Sequence, residues 1–372
     1  MSLRRITAIL VIAAATSVNA VEWKVILHQG REYVSFANIA EFYHFGEFSQ
    51  ANRNVSLRSD RRGIRAQAGT NELYINGVRF FTDFPITAEG SESLLSAMDV
   101  GKIVEPVLRP SRIKGAQKVE TVVLDPGHGG TDNGASNRWG TEKGYTLDVA
   151  VAAREQLLRA GFKVEMTRST DVGISLEDRA DFANRFPNAV FVSIHFNSAS
   201  GGAGVESYAL APEGVPSNAS EGENHVTATD LQRNPGNEQD ASNIALTAAV
   251  HASVLSRVAP FDRGVRHARF KVLRDVRVPA VLVEGGFVSD PTEGQRIATA
   301  QYRQQLGAAI AQGVQAYNAA VNYRSGAVNT TFAAVRANLP PHASSITAPL
   351  ATNQLAPAAA AEQPSVSINA GE

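Results

Sequence analysis

The 372-residue chain contains no cysteine. Disulfides, a thiol nucleophile and every thiolate metal site are therefore excluded, and any bound metal must take imidazole nitrogen and carboxylate oxygen. Export remains open to it, because a core of this size needs no covalent staple. Neither sign of charge is in excess: 35 Lys and Arg stand against 36 Asp and Glu. No global basic field marks a nucleic-acid partner. Past the first twenty residues, no apolar run reaches the length of a membrane span. What is present is 44% hydrophobic residues, ample for one or two buried cores.

Arg4 and Arg5 precede an apolar run from Ile6 to Val18, and Val18-Asn19-Ala20 supplies small residues for cleavage. This order of regions is that of a secretory signal peptide, residues 1–20, too short to span a membrane. The expectation is an exported monomer, periplasmic or extracellular, with no membrane span.

Residues 21 to about 115 read as a small α+β module. Trp23, Val25 and Leu27 alternate as in a strand, and Ile39, Phe42 and Tyr43 share one side of a short helix. Asn76-Gly77, between Leu73–Ile75 and Val78–Phe81, is the pair that type I′ hairpin turns prefer. Arg53, Arg58, Arg61, Arg62 and Arg65 crowd the middle, either as a solvated face or as a contact for an anionic envelope polymer. Pro106, Pro110 and Gly115 mark a linker.

From 120 to about 320 strands alternate with helices, the pattern of an α/β domain built on a mainly parallel sheet flanked by helices. Strands are expected at 121–125, 162–166, 189–194, 205–210, near 270 and at 279–284. Helices are expected near 145–160, after Ser175, at 241–257 and at 300–319. Residues 211–240 are polar and aperiodic, a long loop. Residues 324–372 are rich in Ala, Pro, Ser, Thr and Asn, too poor in apolar groups to offset ordering entropy, so a disordered tail is expected.

The chemistry gathers at strand ends. VVLDPGHGG, residues 122–130, is a β-branched apolar run that stops at Asp125-Pro126-Gly127 and places His128 in a Gly-flanked turn. In open α/β sheets that end is where ligands bind. A phosphate-loop reading fails for want of a following Lys-Ser. Glu142 lies before the next helix, His195 ends the central strand, and Glu284 ends the apolar run Ala280–Val283 before two glycines. Taken singly, each has a structural explanation. Jointly, His128, Glu142 and His195 supply the three protein ligands of a catalytic zinc. The metal would bring bound water close to neutral pKa, and Glu284 suits a general base that later protonates the leaving amine. Asn197 and Arg263 are candidate substrate contacts. His225, His251 and His267 suit surface or structural roles, and Arg168, Arg179 and Asn184 suit bracing of the sheet.

LDPGHGG, TEKGYTLDVA, SIHFNS, GVESYAL and VPAVLVEGGFVSDPTEG, in that order across residues 120–320, resemble the zinc-dependent N-acetylmuramoyl-L-alanine amidases of amidase-3 type. The resemblance implies zinc on His128, Glu142 and His195, catalysis by Glu284, and cleavage of the amide between N-acetylmuramic acid and L-alanine in peptidoglycan during wall turnover or daughter-cell separation. Asp290 departs from the commoner Asn. Some relatives cover their zinc with a helix that an activator of the cell-division machinery displaces, whereas residues 211–240 read here as polar loop. Residues 21–115, with GREYVSFANIA, INGV and LRPSRI, resemble the copper amine oxidase N-terminal-like domain. Copper is not implied, since neither His28 nor His44 has a partner at useful spacing. The alternatives are a zinc peptidase or deacetylase acting on another envelope amide, and a non-catalytic peptidoglycan-binding protein.

Overall fold

The computed structural model describes residues 22–218, 226–258 and 261–323. The expected signal peptide, the 324–372 tail and His225 lie outside the described residues. In chain order the strands are β1 (Val25–His28), β2 (Arg31–Ser35), β3 (Glu47–Ala51), β4 (Asn54–Arg58), β5 (Gly63–Gln67), β6 (Glu72–Ile75), β7 (Val78–Phe81), β8 (Thr87–Glu89), β9 (Glu92–Ser96), β10 (Thr121–Pro126), β11 (Ser136–Asn137), β12 (Gly140–Thr141), β13 (Lys163–Met166), β14 (Ala189–Asn197), β15 (Val205–Leu210), β16 (Asp262–Ala268) and β17 (Ala280–Phe287). The helices are α1 (Phe36–Phe42), α2 (Ala97–Asp99), α3 (Glu105–Leu108), α4 (Glu142–Arg159), α5 (Leu176–Ala183), α6 (Asp240–Val258), α7 (Lys271–Arg274), α8 (Pro291–Ile297) and α9 (Ala300–Val321).

An eleven-stranded sheet runs β13-β10-β14-β17-β15-β16-β7-β6-β5-β4-β3. Its first part is mainly parallel, with β15 antiparallel to β17. Helices on both faces explain why β10 and β14 read as apolar runs without alternation. One face, with Val122, Leu124, Ile194 and Val283, packs under α4, α6 and α9. The other, with Val123, Phe191 and Leu282, belongs to the cluster that takes in α5 and α7. Residues 21–115, which read as a separate module, share this sheet: β7 pairs with β16 through Val265 and Phe80. Helix α6 extends the shared core, packing Ile244, Ala248 and Ala252 against that side. The strand expected near 270 ends at Ala268, and residues 271–274 form a helical turn instead. No described helix is long and apolar enough to cross a membrane.

Candidate active site

His128 leaves β10 with a left-handed φ of 61°, a conformation that costs a β-carbon residue about 1–3 kcal/mol unless its surroundings enforce it. Two buried arginines do so. Arg179 donates to the His128 carbonyl at 2.7 Å and Arg168 to the Gly127 carbonyl at 2.7 Å. Asp132 Oδ2 sits 2.7 Å from His128 Nδ1. A carboxylate there holds the proton on Nδ1 and turns Nε2 inward. Burial opposes charging this ring, but Glu142 and Asp132 outweigh it and raise its pKa.

Glu142 is the first residue of α4 rather than lying before it, and the helix N-terminus favours its negative charge. Its Oε2 accepts from the Ala135 amide at 2.8 Å, and its Oε1 accepts from the Phe196 amide at 3.0 Å. That same Oε1 lies 3.0 Å from His128 Nε2 and 3.0 Å from His195 Nδ1. Burial would raise this carboxyl, but the two imidazoles outweigh it and hold it far below the usual range. One donor atom from each of the three residues falls within 4.8 Å of the others.

Two glycines make this closeness feasible. A β-carbon on Gly127 would meet the His195 ring at 2.2 Å, and one on Gly134 would meet Glu142 Oε2 at 2.5 Å. Beside them, Glu284 stands opposite His195 across one strand pairing and opposite Glu206 across the next. Its Oε2 is buried with no hydrogen-bond partner. Burial, then the charges of Glu142 and Glu206, pushes its pKa well above the carboxylate range. A carboxyl whose pKa is raised and whose Oε2 is unspent, one strand from two imidazoles and a carboxylate, is equipped to exchange a proton with a bound molecule.

Residues 122–316 match the N-acetylmuramoyl-L-alanine amidase family. The chain belongs to that family of hydrolases. It is similar to the sporulation-specific N-acetylmuramoyl-L-alanine amidase of Bacillus subtilis, 33% identical over 55% of this chain and 71% of the relative. It is also similar to N-acetylmuramoyl-L-alanine amidase AmiA of Escherichia coli, 32% identical over 62% of this chain and 87% of the relative. Among solved structures, the N-acetylmuramoyl-L-alanine amidase from Clostridium difficile 630 is 32% identical, with a TM-score of 0.44, covering 54% of this chain and 97% of that one.

Around this amidase's carboxylate pair lies a residue the sequence reading passed over. Glu206 is buried on β15, with Oε1 accepting from Asn197 and from the Tyr208 hydroxyl, and Oε2 accepting from Arg263 at 3.0 Å. Asn197 and Arg263 thus converge on Glu206. The guanidinium of Arg263 also covers the Phe287 ring at 4.9 Å. A glutamate inside the apolar stretch Val205–Leu210 was the available signal, because an unpaired buried carboxylate is costly. Arg168 and Arg179 spend their donors on carbonyls of the His128 loop, and Asn184 donates to the Asp275 carbonyl. His251 bridges Ser207 Oγ at 2.9 Å and Asp262 Oδ1 at 3.0 Å. That Ser-His-Asp set is no nucleophile system, because Ser207 is wholly buried mid-strand. His267 is likewise buried and faces Asp83.

Proposed function

We propose that this amidase is an exported zinc hydrolase that cleaves the amide joining N-acetylmuramic acid to L-alanine in peptidoglycan. The observation that carries this reading is the convergence of one donor atom each from His128, Glu142 and His195 within 4.8 Å, with His128 Nε2 and His195 Nδ1 each 3.0 Å from Glu142 Oε1. The donor set fits zinc: two imidazoles and one carboxylate, with second partners already on Asp132 and on the Ala135 and Phe196 amides. Zinc at such a site acidifies water and polarises a carbonyl.

The chain's own residues do the rest. Glu284 Oε2 takes a proton from the attacking water, holds it, and returns it to the amide nitrogen as the carbon–nitrogen bond breaks. Glu206 keeps Asn197 and Arg263 in place at the rim, where the guanidinium suits a carboxylate of the stem peptide. Residues 211–218 and Asp230 are tied to the β16 side through Asn218 to His267 and Arg269 to Asp230. Export through residues 1–20 would deliver the enzyme to the wall, for turnover or daughter-cell separation.

Purified mature chain incubated with sacculi should release intact stem peptides with a new N-terminal alanine. Chelation should abolish the release and zinc should restore it. Release of acetate, or of fragments cut within the peptide, would replace this reading with a deacetylase or a peptidase.

A further inference from the structure

The face of the sheet that carries His195 and Glu284 continues into the N-terminal strands. From Glu284 the pairing passes to Glu206 on β15 and to Gly264 on β16. Gly264 and Arg79 each precede a partner in the single β16–β7 bridge. Arg79 is then opposite Tyr74, Tyr74 opposite Arg65, Arg65 opposite Ser56, and Ser56 opposite Ser49. One line of paired positions, without a side chain at Gly264, therefore runs from the candidate active site to β3. Phe81 marks the crossing, with the guanidinium of Arg266 at 3.9 Å and that of Arg79 at 4.6 Å from its ring centre. At about 4.8 Å per strand, Tyr74 lies only ~19 Å from Glu284 along the sheet.

The two halves of this face are finished differently. In the α/β part it is packed under apolar side chains and helices. In β4 to β7, burial alternates strictly: Val55, Leu57, Ile64, Ala66, Leu73, Ile75, Val78 and Phe80 point into the core. The intervening residues stay half-exposed or exposed. They enclose a cavity of about 270 Å³ whose lining includes Ser49, Asn54, Ser56, Arg65, Gln67 and Tyr74.

The chemistry of the lining selects among ligands. Hydroxyls and two carboxamides provide both donors and acceptors, and Tyr74 provides a ring, with the Arg65 guanidinium 5.2 Å from its centre. The positive charge that a polyanion needs is dispersed. Arg79 is paired with Glu72, Arg58 lies 3.9 Å from Glu47, and Arg62 donates to the Tyr43 carbonyl. Ala51, Val55 and Ala66 add apolar surface for the carbon face of a ring, and Glu72 adds a carboxylate that disfavours an anionic ligand. A neutral ligand dense in hydroxyl and amide groups meets every one of these features, and the volume, below the ~300–1,000 Å³ of drug-sized pockets, suits a small unit.

We propose that the uncovered face of β3–β6 is a glycan subsite: it binds an N-acetylated sugar of the same peptidoglycan strand whose muramoyl amide is cut at Glu284. The choice of substrate rests on the reading given under Proposed function. The subsite lies on the same sheet as Glu284, so binding there raises the local concentration of scissile amides without taking part in the reaction.

The test uses the full mature chain with zinc and, as probe, glycan strands stripped of their stem peptides. Tyr74→Ser and Gln67→Ala, both on the half-exposed side, are compared with the unmodified chain after circular dichroism confirms equal folding. The unmodified chain should bind stripped strands, and each variant should bind roughly fivefold more weakly, the loss of one stacking or hydrogen-bonding contact. On sacculi KM should rise by the same factor with kcat unchanged, while turnover of a soluble muramoyl-peptide stays the same. Equal binding by variants and parent, no binding by the parent, or equal loss on soluble and polymeric substrate would each overturn the subsite. Binding of stripped strands by a chain that fails to cut the muramoyl–alanine amide would leave the subsite standing and refute the catalytic reading alone.

Discussion

Glu284 is half-buried, yet its Oε2 is shut away from solvent with no hydrogen-bond partner. A stability role cannot account for it, because a buried lone carboxyl destabilises. Glu284→Gln, which keeps shape and removes the titrating group, should lower kcat on sacculi by about 10²–10⁴ with no loss of thermal stability or zinc. Retained activity would sink the proton-transfer assignment. Asp132 offers a second, separable test. It touches His128 Nδ1 and stands outside the three-residue cluster, so Asp132→Ala should weaken zinc by about 10–100-fold, read by competition with a chromophoric chelator, while circular dichroism is unchanged. His128, Glu142, His195 and Glu284 were legible because each is a polar group where an apolar run stops or a helix begins. Asp132 and Glu206 were passed over: one lies in a polar Gly-rich turn beside His128, and the other, a lone acid inside an apolar strand, takes its role from Asn197 and Arg263 on other strands.

The turn after β10 is shaped by what packs beneath it. Arg179 is 3% exposed and Asp125 is 0% exposed, joined at 2.6 Å, and Arg179 spends further donors on the Ile174, Pro126 and His128 carbonyls. Removing one partner strands the other charge, so Arg179→Ala should cost about 3–5 kcal/mol in urea unfolding, and zinc should bind more weakly because the His128 turn loses its brace. Gly127→Ala acts on the same element from above. Its methyl would lie 2.2 Å from the His195 ring, so zinc content should fall even where the fold survives, measured by metal analysis of the purified variant. Element types were readable from periodicity and turn chemistry; the Asn76-Gly77 hairpin forms as expected, with φ of 53° and 89°. The strand expected near 270 was misplaced because Val272 and Leu273 are apolar for another reason: they pack from the helical turn onto the sheet. The joining of the N-terminal strands to the α/β sheet was not legible either. It depends on a single bridge and on apolar residues of α6 shared between the two parts.

At the scale of the whole molecule that junction is held by polar groups as well as by core. Asp83 follows β7, Asp99 ends α2, and His267 lies on β16; all three are buried. His267 Nδ1 is 2.7 Å from Asp83 Oδ1. Asp99 Oδ1 accepts the Asp83 amide at 2.7 Å, and its other oxygen accepts the Phe84 amide at 3.4 Å. Burial, followed by the charge of Asp83, pushes the Asp99 pKa well above the carboxylate range. The folded chain therefore binds a proton that the unfolded chain releases near the ordinary carboxylate pKa of about 4. Stability from this group is fully present below that value and is lost as pH rises through the folded value. Asp99→Asn keeps an acceptor for the Asp83 amide and cannot ionise. Its urea midpoint should gain on that of the parent as pH rises above about 4, while groups common to both chains, the candidate metal ligands included, cancel in the difference. A constant difference across that range would mean that Asp99 ionises equally in both states and that the junction carries no proton-linked term.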